Sequence, residues 1–510
     1  MRDKVFRSAG LALLGVAVAV SAMAQGSGVG EVSFANSGSP AAQADFLHGL
    51  ALLHDFEYAD AAAAFRRAQA ADPSFAMAYW GEAMTYNHPL WAQQDASGAR
   101  AVLQRLAPTP EERQAKAKTA REKAYLRAVE ILYGDGDKYA RDDKYSAAMA
   151  EVHRDYPDDV DATAFYALSI LGTAHTRDFA TYMRAAALLE EVFPTHQHHP
   201  GVVHYLIHCY DDPIHAPLGL RAARLYSQVA PEAAHAQHMT SHIFVAMGMW
   251  DDVVAANEMA VRVSEEHLKD RYSLCGHYPF WLEYGYLQQG RVAKARQVLD
   301  ACRATLRPGN PGLESSYAEM RNRFLLDSER WDDETARAPL APASDPEVRV
   351  TYLFGSGYAA ARRGDLAAAR EALDGLRSAA AAVNGDGQEA KRAQILQEEL
   401  TALLESRSNH VDDAIARLHR ASEMDHGMAF EFGPPFVDKP VDELLGEVLL
   451  AAKRPGEAQK AFASALARTP GRVQSLRGLE ASARLAGDRE AAGAAAEQLA
   501  QALRKADGAK

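Results

Sequence analysis

After Pro200 the apolar residues Val203, Leu206, Ile207 and Tyr210 fall at offsets three, six, seven and ten, while His204 and His208 fall at four and eight. On a helix of about 3.6 residues per turn these sets occupy different sides, one to bury against a neighbouring helix and one bearing imidazoles. The pattern returns 34 residues later, with His238 and His242 four and eight after Ala234. Here the packing offsets hold Gln237, Thr240, Ser241 and Phe244, a more polar set than after Pro200. Helical blocks of this kind recur along the chain, and nothing in them asks for a β-strand.

The blocks carry a motif. In FLHGLALLHDFEYADAAAAFRRAQAADP, Phe46 to Pro73, Gly49 stands where two helices would cross, Tyr58 at the turn, Ala61, Phe65 and Ala68 on the second helix, and Pro73 at the close. Gly248 with Ala260, Gly290 with Ala295 and Leu299, Gly357 and Gly364 with Ala369, Gly446 with Ala458, Phe462, Ala465 and Pro470, and Gly487 with Ala492 repeat it. Helices approach closely only where one side chain is Gly or Ala, and each unit buries its remaining apolar face on the next. The motif resembles the tetratricopeptide (TPR) consensus, whose unit is about 34 residues long. The resemblance runs from Ala42 to Arg504, about ten units, and implies an all-α, right-handed superhelical solenoid of TPR helix hairpins. HHPGVVHYLIHCYDDP, HAQHMTSHIF followed by GMWDDVVAAN, and FEFGPPFVDKPVDELLGEVLL are also similar to segments of a group of exported bacterial TPR proteins without an assigned function. That likeness singles out His199, His204, His208, His235, His238 and His242 as a set and implies no reaction.

A basic start (Arg2, Lys4, Arg7), an apolar run from Ala9 to Val20 and Ala22-Met23-Ala24 have the form of a signal peptide over 1–24. The mature chain is then expected to begin at Gln25 and to be exported, to the periplasm in a Gram-negative host. A Gly- and Ser-rich stretch, 25–41, reads as a disordered leader. An N-terminal TPR-like array with a histidine-lined groove follows over 42–335, then a linker at 336–346, a C-terminal TPR array over 347–505 and a tail at 506–510. Pro108 to Asp159 has longer, charged helices, and Phe430 to Pro440 is a Pro-rich loop. No later apolar run approaches the roughly 20 residues of a membrane span. The net charge of −13 becomes −15 once Arg2, Asp3, Lys4 and Arg7 leave, which disfavours nucleic acid as a partner. Cys209, Cys275 and Cys302 are too few for a disulfide framework, although one pair with one left over is allowed, and Cys209 is expected to be buried.

Candidate chemistry rests on histidine, nine of the 19 falling between His196 and His242. Measured from the starts of the first helices of each unit, His235 and His277 take offset one, His204, His208, His238 and His242 take four and eight, and His54, His88 and His175 take twelve. These offsets share roughly 80° of helix arc. In the TPR family that face lines the concave groove, so the resemblance places the imidazoles there. Packed helices lie about 8–10 Å apart, a span that imidazoles bonding one ion at about 2.0–2.1 Å can bridge. His204, His208, His238 and His242 are the expected primary ligands, with His175, His235 and His277 as outer ligands or substrate contacts. Asp211 or Asp212 would serve as a ligand or orient a ring. Zn, Cu, Fe and Ni all suit imidazole. Tyr205 and Met239 stand where a zincin needs glutamate, and Ser146 stands where an EF-hand beginning at Asp135 needs its twelfth-position Glu. His196 and His198, before the helix, are expected to be exposed. Three functions stand at this point: a metal-binding exported protein, a periplasmic scaffold holding a partner peptide without metal, and a metal-dependent enzyme of unknown reaction. The last requires a coordination place left to water.

Overall fold

The computed structural model describes residues 28–174, 176–268, 274–307, 309–338 and 345–509. The expected signal peptide over 1–24, His175 and residues 339–344 of the expected linker lie outside the described residues. The fold is all-α, a solenoid of helix hairpins of the kind the TPR-like motif predicts, with 24 α-helices, α1 to α24, among the described residues. Successive helices pair as hairpins, as α1 (Pro40–His54) does with α2 (Tyr58–Ala71) and α12 (Ala234–Ala246) with α13 (Trp250–Leu268).

The helix starts follow the periodicity. α3 (Ala76–Met84), α10 (Pro200–Cys209) and α12 begin on the residues expected, and α14 (His277–Gln288) begins one after Gly276. α10 carries Pro at its first position with His199 as N-cap, where the missing N–H costs nothing. Phe65 on α2 sits between Gly49 and Gly81, where an added Cβ would lie 3.1 and 2.3 Å from its ring. Phe462 on α22 (Pro455–Arg468) sits the same way between Gly446 and Gly478, at 2.8 and 2.2 Å. In both cases one ring keys two successive first helices together, which is why the glycines recur.

Two departures from the expected organisation concern the ends. The leader from Gly28 is ordered, contrary to its Gly/Ser composition: Val29, Val32 and Phe34 are buried. Phe34 packs on Trp80, Phe46 and Tyr125 with the Arg121 guanidinium over its ring. The Glu31 N–H donates to the His198 carbonyl at 2.9 Å and the Glu232 N–H to that of Gly28 at 2.8 Å. Three apolar side chains with places to bury outweigh the entropy of a short flexible segment. The tail also packs, with the Asp507 N–H donating to the Gly290 carbonyl and Ala506 against Gly290. Together with the Trp250 Nε1–H bond to the Gly471 carbonyl, 2.9 Å, this lays the last units on those of α12 to α15 (Val292–Thr305). A two-stranded hairpin, Asn87–His88 with Gln93–Gln94, interrupts the helices, and the supposed EF-hand loop runs into α7 (Lys138–Asp155) with Asp137 as N-cap. Cys275 is bonded to Cys302, and Cys209 is free and buried.

A buried ion network ties the C-terminal half together. Arg472 reaches Glu443 on α21 (Val441–Ala451) at 2.9 Å and Asp327 on α16 (Pro311–Ser328) at 2.6 Å. The ammonium of Lys439 lies 2.6 Å from Glu443. Burial by itself would raise the Glu443 pKa, but Arg472 and Lys439 outweigh it and hold the group at about 2. The folded value is below the unfolded value of 4.5, so the stabilisation is complete above the unfolded pKa and is lost as pH falls toward 2. Glu443→Gln leaves Arg472 and Lys439 short of a counter-charge and is expected to cost about 3 kcal/mol in urea unfolding at pH 7. Its difference from the parent chain should shrink below pH 4. An equal difference at pH 7 and pH 3 would refute the ionic account.

Candidate metal centre

Two equivalent groups of three histidines lie side by side. His204 and His208 on α10 meet His235 at the start of α12; His238 and His242 on α12 meet His277 at the start of α14. Within each trio the ligand nitrogens lie within 4.8 Å of one another. The rule is the same twice: an i, i+4 pair from one helix and the histidine at offset one of the next first helix. The trios adjoin, with His208 and His242 ring centroids 6.0 Å apart and those of His235 and His238 6.2 Å apart.

This corrects three expectations. The four paired histidines do not form one site but divide between two. His235 and His277 are members of the trios rather than outer contacts. The six imidazoles of the trios do not line an open groove: all but His277 are buried, His204 completely and His235 to 7% exposure. Aromatic residues fill the space. Phe56 lies with its ring centroid 4.4 Å from that of His204 and within 5.8 Å of those of His208 and His235. Trp281 stacks on His242 at 4.3 Å, and Phe432 of the Pro-rich loop lies 5.1 Å from the same ring. Gly433, at φ +90°, passes under Trp281, and an added Cβ would stand 2.3 Å from the indole. Phe56 itself has φ +59°, a costly conformation for an aromatic residue that the surrounding contacts must hold.

The hydrogen bonds decide what the trios can accept. His242 Nδ1 lies 2.5 Å from Asp211 Oδ2, and His238 Nδ1 lies 2.7 Å from Asn257 Oδ1. The Asn257 amide is itself oriented by donating to the Val253 carbonyl. Where each ring is neutral and the Asp211 and Asn257 oxygens accept, the ring protons sit on Nδ1 and the Nε2 lone pairs are bare. Those two nitrogens face each other at 3.0 Å, and in that state no proton lies between them. In the other trio, His204 donates from Nδ1 to the His54 carbonyl at 2.6 Å and turns Nε2 to His208 Nε2 at 3.1 Å. His235 Nε2 is buried and has no hydrogen-bond partner among the described residues. Such nitrogens are costly unless something binds them. Burial pushes the His204 pKa down to about 3 and holds His208, His235 and His238 well below the ordinary value, with neighbouring histidines adding to the effect. All four are therefore neutral near pH 7, the state a metal requires.

His54, Asp161 and His199 form a third close group, and it reads differently. His54 Nε2–H donates to Asp161 Oδ1 at 2.9 Å while its Nδ1 accepts from the Tyr205 hydroxyl at 2.9 Å. His199 Nε2–H lies 3.3 Å from the same Asp161 oxygen, and its Nδ1 accepts the Val202 N–H as the α10 N-cap. Every ring nitrogen has a complementary partner, so this group is a satisfied internal network. It also corrects the placing of His54 on a groove surface. His88 falls in the hairpin beyond α3, its ring centroid 4.0 Å from that of Tyr58. His196 and His198 are exposed, as expected.

Asp211 holds the His242 ring at Nδ1, the geometry of the second of the two roles expected of it. Asn257, Phe56, Trp281 and Phe432 were not assigned roles by sequence. Asn257 closes the GMWDDVVAAN segment and Phe432 opens the aromatic Gly-Pro-Pro loop, so both stood within recognisable segments. What pairs them with histidines is tertiary.

No family model and no curated protein matches the chain. Among solved structures it is similar to the TPR domain of P58(IPK), at 14% identity over 88% of this chain and 99% of that one, with a TM-score of 0.24. It is likewise similar to the human IFIT1 dimer with m7Gppp-AAAA, at 13% identity over 89% and 94%, TM-score 0.38. Yeast Tom70 matches at 12% identity over 90% and 98%, TM-score 0.32. At these values no ligand or partner is transferred.

Proposed function

We propose that this protein binds two transition-metal ions, one at His204, His208 and His235 and one at His238, His242 and His277, within an exported TPR solenoid. The carrying observation is the 3.0 Å approach of His238 Nε2 to His242 Nε2 while the Nδ1 atoms of the same rings face Asn257 Oδ1 and Asp211 Oδ2, which leaves two lone pairs opposed when the rings are neutral. A cation between them turns a repulsion into two bonds. Three neutral imidazoles per ion leave a fourth place open, the donor set of catalytic rather than closed structural zinc sites. Zn, Cu, Fe and Ni remain the candidate ions. The alternative of a peptide held against the histidine face is less well supported, because Phe56, Trp281 and Phe432 occupy the space it would need. The Cys275–Cys302 bond supports export, since such bonds persist in oxidising compartments.

Protein isolated from its native compartment without a histidine tag is expected to carry about two equivalents of transition metal by elemental analysis. His238→Ala/His242→Ala should retain about one. Less than about a tenth of an equivalent in the parent chain, with none gained on titration, would sink the proposal. A separate expectation concerns Asp211→Ala, which keeps all six histidines but frees the His242 ring. It should weaken the second equivalent by about tenfold or more in competition with a chelator and leave the first unchanged. Equal affinity of both equivalents in that variant would show that Asp211 does not orient the ligand.

A further inference from the structure

The two trios differ in what surrounds them. Of the six histidines, His277 alone lines a cavity of about 300 Å³ whose walls come from α14, α16, the Pro-rich loop and two later helices. His277 is also the exposed member of its trio, whereas His204, His208 and His235 are all buried. Phe56 lies against that inner trio, and Tyr226 stacks on His204 at 5.1 Å. The inner trio meets the outer one through the His208–His242 and His235–His238 contacts.

The cavity wall is acidic. Glu319, Glu347, Glu389, Glu431 and Asp438 face two guanidiniums, those of Arg323 and Arg392. Both guanidiniums are already engaged. Arg392 pairs with Asp438 at 2.5 Å and lies 3.5 Å from Glu389. Arg323 donates to the Asp438 and Pro435 carbonyls and lies 3.6 Å from Asp327. Glu319 and Glu347 line the same volume, and a cleft with an excess of one sign concentrates the opposite sign. Desolvation holds both above the usual carboxylate range, with Glu389 repelling and Arg392 attracting at each. An acidic wall alone would say little. Here it ends at a trio in which two lone pairs already call for a cation.

From this asymmetry, and resting on the metal reading above, we infer that the acidic cavity is the cation entrance to the centre. The His238–His242–His277 site exchanges metal with solvent, and the His204–His208–His235 site is locked behind it. The outer ion sits where it can be replaced or meet a small ligand. The inner ion arrives by ligand exchange across the His208–His242 contact and then stays.

The test uses the full mature chain without a tag, loaded with Zn(II) and challenged with a chromophoric chelator. One equivalent should leave at least about tenfold faster than the other, because one of its three ligands, His277, is exposed and fronts the acidic cavity, whereas no ligand of the inner trio is exposed. His277→Ala should abolish the fast equivalent and retain a slow one. Glu319→Gln/Glu347→Gln should slow Zn(II) uptake by the apo chain about threefold at low ionic strength, with the difference vanishing in high salt. Release of both equivalents at one rate, a fast equivalent surviving in His277→Ala, or uptake by the carboxylate variant matching the parent at low salt would each overturn the inference while leaving the two-ion reading intact. Absence of bound Zn(II) in the parent chain would overturn both.

Discussion

The structure depends on the cost of burying neutral imidazole. A buried ring has one N–H that needs an acceptor and one lone pair that needs a donor or an ion. Around His54, Asp161 and His199 the chain supplies both kinds of partner. Around His238 and His242 it supplies oxygens at Nδ1 and sets the two Nε2 atoms 3.0 Å apart, so that two neutral rings oppose their lone pairs. Groups of similar composition and burial thus separate by proton bookkeeping, and proximity alone would not have told them apart.

Repetition explains how the arrangement arises. A first helix in a TPR array has two usable faces, one committed to its neighbours through Val203, Leu206, Ile207 and Tyr210 and one free to carry chemistry. Placing histidines at equivalent offsets on adjacent units makes two copies of one site, each completed by a histidine of the following unit. The aromatic cover comes from elsewhere: Phe56 from the turn after α1, Trp281 from α14 and Phe432 from a loop more than 150 residues farther along. Gly433 has to be glycine for that loop to pass beneath the indole.

The helical architecture and the alignment of His204 with His238 were legible because both depend on periodicity along one helix, and α10 and α12 begin where the pattern set them. The division into two trios was not. The offsets fixed which side of each helix the rings occupy but carried no distance between helices, so four rings within one arc could not be told from two separate groups. Burial was missed for a related reason: a polar helix face reads as surface unless other segments are known to cover it. Composition also misled at the leader, where Gly and Ser outnumber Val29, Val32 and Phe34 yet those three determine its placement.

The lid contributed by Phe432 and Gly433 has a temporal consequence. Residues 204–277 can pair their helices early in synthesis, but the cover over His242 cannot close until the chain has been made past residue 433. The histidines would therefore remain open to competing ions through most of the time the chain is growing. On the proposed export and metal binding, the ions at the destination, and not those at the ribosome, are the ones the histidines meet as the loop comes down.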